Sequence, residues 1–135
     1  MQKLKVGLFY KDKTIVEPGQ TASLLNPDLP EALATASLVS FVQLAAAKAV
    51  APYLEPDQFT GGTKIGLAQL ASTPVGMEIS AAVQLERLEG RRLGFVLEVY
   101  DEFEKICEGT HERYIIGIDW FKTKVEEKLK LVKAG

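Results

Sequence analysis

Apolar residues between positions 31 and 53 do not keep to one side of the helix their spacing predicts. Leu33, Leu38, Val39, Phe41, Val42, Leu44, Ala45, Ala46, Ala47, Ala49 and Val50 cover nearly its whole circumference. A helix that is apolar on all sides is expected to be buried on all sides. The small residues at 45, 46, 47 and 49 would let another backbone approach closely. Pro30 is well placed to open this helix, and it should end before Pro56. Beyond Gly61-Gly62, read as a turn, the pattern changes to period two. Met77, Ile79, Ala81, Val83 and Leu85 alternate with Glu78, Ser80, Ala82, Gln84 and Glu86. Leu93, Phe95, Leu97 and Val99 repeat the alternation after the turn LEGRR, where Gly90 supplies a permissive backbone. Residues 63–72 and 106–118 read as the flanking strands, with a loop over 101–105 between the second pair.

Residues 8–16 are rich in β-formers and predict a first strand. The segment EPGQTASLLNPDLP, with Pro18, Gly19, Pro27 and Pro30, is a loop holding at most a helical turn at 22–25. Asp119 reads as the N-cap of a final amphipathic helix with Phe121, Val125, Leu129 and Val132 at helical spacing. Strand, buried helix, four strands joined by short turns, helix: this is an α+β design in which an antiparallel sheet wraps one helix.

Three polar residues disturb the pattern. Thr35 and Gln43 sit on the apolar helix and Gln69 on the strand after it. Buried without a partner, each would cost about 1–3 kcal/mol, so either the protein's own polar groups or a ligand satisfies them. The rest of the composition sets bounds. At 135 residues, 47% hydrophobic and 25% charged, the chain is expected to form a single domain over residues 1–135. A net charge of −2 leaves no electrostatic footprint for nucleic acid. The lone Cys107 can form no internal disulfide and no cysteine-based metal site, and no metal is expected. The N-terminus MQKLKVGLFYKDK lacks the apolar run of a signal peptide. The apolar stretch 32–47 falls short of the roughly 20 residues a bilayer demands. A soluble, cytoplasmic protein with no membrane partner is expected.

The runs ATASLVSFVQLAAAKAVAPYLEP, GGTKIGLAQLASTPVGM, LEGRRLGF and EGTHERYII resemble the fluoroacetyl-CoA thioesterase family. The similarity extends from Pro30 to about Val125, and APYLEP, EGRRL and GTHER are its most specific pieces. The resemblance implies the hotdog fold, a homodimer with active sites at the subunit interface, and a small acyl-CoA as ligand; coenzyme A would enter as part of the substrate, with no separate cofactor. That family's site uses a Thr early in the central helix, a Glu two turns on, a His on the next strand and a backbone donor at a nearby Gly. Carried over by position, these fall at Thr35, Gln43, Gln69 and Gly62. A lid Phe linked to fluoroacetate selectivity falls at Leu29, so that selectivity is not expected.

Thioester hydrolysis needs an activated nucleophile and a donor for the developing oxyanion. Glutamine offers one amide oxygen and two N–H donors but no useful basicity. Two glutamines in place of two bases would forfeit the 10²–10⁴-fold of general acid–base catalysis while keeping the shape of the site. Thr35 and Gln43 are eight residues apart, about 12 Å along a helix, so a shared site needs a spanning substrate or two subunits. Each candidate has a plainer reading. Thr35 suits a helix-end hydroxyl bonding backbone, and the glutamines could bond each other or backbone across a dimer seam. His111 lacks the partner a triad needs and suits a structural place on the last strand. Arg113 either reaches a CoA phosphate or pairs with a surface carboxylate. Arg91, Arg92 and the lysines of KTKVEEKLKLVK suit solvated surface, and Cys107 a core filler. Two hypotheses lead: a thioesterase-like protein that hydrolyses an acyl-CoA weakly or by an altered mechanism, and a non-catalytic acyl-CoA-binding protein. A hydratase is a third, without an Asp/His pair to support it.

Overall fold

The computed structural model describes residues 3–21, 26 and 28–134. Within them the chain runs β1 (Phe9–Ile15), α1 (Thr35–Val50), β2 (Gln58–Gln69), β3 (Glu78–Glu89), β4 (Arg92–Tyr100), β5 (Lys105–Gly117) and α2 (Ile118–Ala134), with single 3₁₀ turns at Pro18–Gln20 and Ala51–Tyr53. The five strands form one antiparallel sheet in the order β1-β3-β4-β5-β2. β1 and β2 are therefore its edges.

The alternation in β3 and β4 places Ile79, Ala81, Val83, Leu85, Leu93, Phe95, Leu97 and Val99 on one buried face. Against it pack Leu38, Phe41, Val42, Ala45, Ala46, Ala49 and Val50 of α1. Thr35–Tyr53 is long and apolar enough, by length and composition, to cross a membrane; here its apolar face covers the sheet instead. Gly90, with φ +62°, opens the two-residue connection between Glu89 and Arg92, a conformation costly for any side chain.

Several expectations are corrected. The helix begins at Thr35, not at Glu31. Ala32 bridges Pro74, Leu33 bridges Thr21 and donates to the Thr73 carbonyl at 2.8 Å, and Ala34 donates to the Gln20 carbonyl at 2.8 Å. These nonlocal bonds hold 32–34 extended and cancel the start signal of Pro30. Nor is α1 buried all round: Ala36, Ser40, Leu44 and Lys48 line an open stripe, Leu44 being 52% exposed. Lys48 pairs with Asp12 of β1 at 2.9 Å. The Gly-Gly turn is instead the interior of β2. A Cβ on Gly61 would sit 2.9 Å from Ile116 Cδ1, and one on Gly62 would collide with the Gln43 amide, so both glycines serve close approach. α2 starts two residues early, with Asp119 in its first turn rather than at its N-cap, and none of its residues is buried. Phe121 meets Phe59 edge-on at 5.2 Å between ring centres. The expected turn at 22–25 lies outside the described residues.

Candidate functional site

The polar residues of α1 and β2 sort into two groups, one at each end of β2. At the first, the Thr35 hydroxyl donates to Gln69 Oε1. Gln69 Nε2 donates to the Leu33 and Ala71 carbonyls, both at 3.3 Å. The extended entry to α1 and the exit of β2 thus meet through one amide. An open hollow of about 540 Å³ lies over this pair, lined among others by Leu33, Thr35, Ala36, Gln69, Leu70 and Ser72. Its size suits a small ligand.

At the other end, Gln43 Oε1, Arg113 Nη1 and His111 Cε1 converge on Gly62. A Cβ there would lie 3.1 Å from each of the latter two and would clash with the glutamine oxygen. Arg113 Nε donates to Thr60 Oγ1 at 2.9 Å and Nη2 to the Thr60 carbonyl at 2.6 Å. Arg113 Nη1 lies 3.1 Å from His111 Nε2, and His111 Nδ1 lies 2.8 Å from the Lys64 carbonyl. A guanidinium can only donate, so Nε2 accepts and the imidazole proton is on Nδ1. Burial holds the His111 pKa below its ordinary value; the bond to the Lys64 carbonyl opposes this and the adjacent Arg113 reinforces it. The only histidine of the chain is neutral, with both ring nitrogens engaged.

One irregularity lets both groups face α1. Gly62 and Gln69 are seven residues apart, an odd number that would put their side chains on opposite faces of a regular strand. The pairing of β2 with β5 shifts register between Gly62 and Lys64, a bulge that inserts Thr63 and resets the alternation. Ile65 and Leu67 then share the inner face with Gln69.

Of the expected site residues, Thr35 and Gln69 meet, and Gln43, Gly62 and Arg113 meet. Within one chain the two groups remain apart, and the glutamines do not bond each other. Leu29 lies on the exposed loop before α1, donating its N–H to the Asn26 carbonyl at 3.0 Å, and is not among the residues lining the hollow. Arg113 is the larger correction: it is 6% exposed, so it is no surface cation, and among the described residues it has no carboxylate partner. Glu112 turns to Arg92 instead at 2.9 Å, so Arg92 is paired where solvation was expected. Cys107 is a buried core residue, with burial raising its pKa and Glu108 adding to the rise. Sequence reading missed Thr60. Its signal was the inward phase of β5, where Cys107, His111 and Arg113 share a face and the last two demand polar company.

Residues 16–119 match the family described as fluoroacetyl-CoA-specific thioesterase. The fluoroacetyl-CoA thioesterase of Streptantibioticus cattleyicolor is 34% identical over 131 residues, covering 93% of this chain and 94% of that one. The solved F36A mutant of a fluoroacetyl-CoA-specific thioesterase superposes with a TM-score of 0.88 at 34% identity, over 95% of this chain and 99% of the other. A hypothetical protein of Thermus thermophilus, a thioesterase superfamily member, superposes with a TM-score of 0.92 at 26% identity over the whole of both chains. With its sheet wrapped around α1 in the hotdog fold, this chain belongs to the fluoroacetyl-CoA-specific thioesterase family.

Proposed function

We propose that the protein binds a small acyl-CoA in a site shared between two copies of the chain, and hydrolyses its thioester weakly or by an altered mechanism. Homology supports the acyl-CoA thioesterase-like part of this reading. The observation that carries the shared site is the placement of two unlike polar groups at opposite ends of one edge strand. Among the described residues β2 pairs with β5 alone, which leaves its other edge without a strand partner. Seven residues of strand separate Gly62 from Gln69, about 23 Å at 3.3 Å per residue, too far for both to touch one small acyl group. An antiparallel pairing of β2 with its counterpart, centred between Ile65 and Gly66, lays Gly62 of one chain opposite Gln69 of the other. Each of two symmetric sites then combines a Thr35–Gln69 end with a Gln43–Gly62–Arg113 end.

The chemistry follows from what these groups can donate and accept. Thr35 gives its proton to Gln69 Oε1 and keeps lone pairs to accept from a water or a ligand. Gln69 cannot take a proton from either. His111 has no free nitrogen. A water held at Thr35 would attack the thioester carbonyl without a base, with backbone N–H at Gly62 as oxyanion donor, short of the usual 10²–10⁴-fold. The saturated amide of Gln69 equally favours a second reading, a binding protein without turnover.

Free-thiol release from short acyl-CoAs, alongside thermal shift with CoA, separates the two. Wild-type turnover that falls at least about tenfold in Thr35→Ala supports the enzyme. Activity that arises only in Gln43→Glu/Gln69→His supports the binding protein. Absence of CoA-dependent stabilisation in either form overturns the pocket.

A further inference from the structure

Arg113 carries a full positive charge into a place where, among the described residues, no group of opposite sign meets it. Its three hydrogen-bonded partners, Thr60 Oγ1, the Thr60 carbonyl and His111 Nε2, are all neutral. They use three of the five guanidinium N–H groups, leaving one on each terminal nitrogen. A buried charge so placed is costly unless an anion completes it.

The chain's own walls supply none. α1 contains no Asp or Glu, nor does β2, nor any residue from Thr63 to Met77. That last segment includes the stretch a second copy would lay against Gly62. The α1 group that does approach is Gln43, whose amide oxygen and Arg113 Nη1 flank the position a Gly62 side chain would fill. An amide brings a dipole where a charge is wanted. It sits half-buried on a helix face, and Gly62 beside it is exposed and without a side chain.

We propose that Arg113 receives a carboxylate carried on the far end of the acyl chain, so that the ligand class is the coenzyme A thioester of a short dicarboxylic acid. The inference rests on the thioester site proposed above. The ligand carboxylate displaces the Gln43 amide, accepts the two spare N–H groups in a fork and neutralises the guanidinium. Specificity then comes from charge at the distal end of the acyl group, while Thr35 and Gln69 of the other copy meet the thioester.

Succinyl-CoA and butyryl-CoA match in chain length and differ by a carboxylate against a methyl group. Titration calorimetry on the intact protein should find succinyl-CoA at least about tenfold tighter, the scale of one charge-assisted hydrogen bond. Gln43→Glu places a carboxylate beside Arg113 from within; it should raise the melting temperature and bring the two affinities to parity. Arg113→Met should weaken succinyl-CoA by more than it weakens butyryl-CoA and so lose the preference, and if it fails to fold, Gln43→Glu carries the test. Equal affinities in wild type, or a preference that persists in Gln43→Glu, would overturn the role of Arg113 and leave the thioester site standing. If neither ester nor CoA binds, the underlying site fails instead.

Discussion

Gln69 spends its amide on three partners, accepting from Thr35 and donating to two carbonyls that belong to different segments. It is a tether before it is anything else, since the entry to α1 and the exit of β2 both hang on it. His111 is committed in the same way, and its surroundings fix a sign. A histidine held neutral in the fold takes up a proton more readily when unfolded, so stability is intact above the ordinary value near 6.5 and declines as pH falls through it toward the depressed folded value. Protonation would also set an imidazolium against Arg113 Nη1 at 3.1 Å. Urea midpoints measured from pH 7.5 to 5.5 should fall in wild type and stay flatter in His111→Gln. A wild-type midpoint independent of pH over that range would contradict the assignment.

The two helices sit at opposite extremes of burial. α1 inserts Leu38, Val42, Ala45 and Ala46 fully into the core, whereas α2 buries nothing and leaves Trp120, Val125 and Leu129 largely exposed. Leu38→Ala is expected to cost about 2–5 kcal/mol, the range for a core leucine. Leu129→Ala should stay within about 0.5 kcal/mol in the same denaturation series. The contrast also marks what the sequence could tell. Both helices and all five strands were legible from periodicity, because that signal is local. The start of α1 was not, since 32–34 are held by Thr21, Gln20, Thr73 and Pro74, partners that no window along the chain contains. Gly61 and Gly62 read as a turn because glycine in sequence signals flexibility; in the fold they make room for Ile116 and Gln43. Thr35, Gln43 and Gln69 stood out as polar intruders, but the Thr60–Arg113–His111 cluster did not, since Arg on a strand ordinarily faces water.

On the scale of the whole molecule, a site assembled from opposite ends of β2 has a consequence that a site within one chain lacks. Thr35→Ala damages one end and Arg113→Gln the other, so each homodimer carries two defective sites. In a mixed dimer both lesions fall on one site and the other is intact. Unfolding and refolding the two variants together should restore about a quarter of wild-type ligand capacity, counting half the dimers as mixed. No recovery on mixing would place the whole site within a single subunit.

The spare residue at Thr63 sets a different kind of constraint on how this protein can change. Side chains along the wall can be exchanged one at a time, and the chemistry drifts while the architecture holds. Chain length there has no such latitude: losing a single amino acid between Gly62 and Ile65 would turn the arm carrying Gln69 inside out with every strand still paired. Evolution can edit the letters of this wall far more freely than it can edit their count.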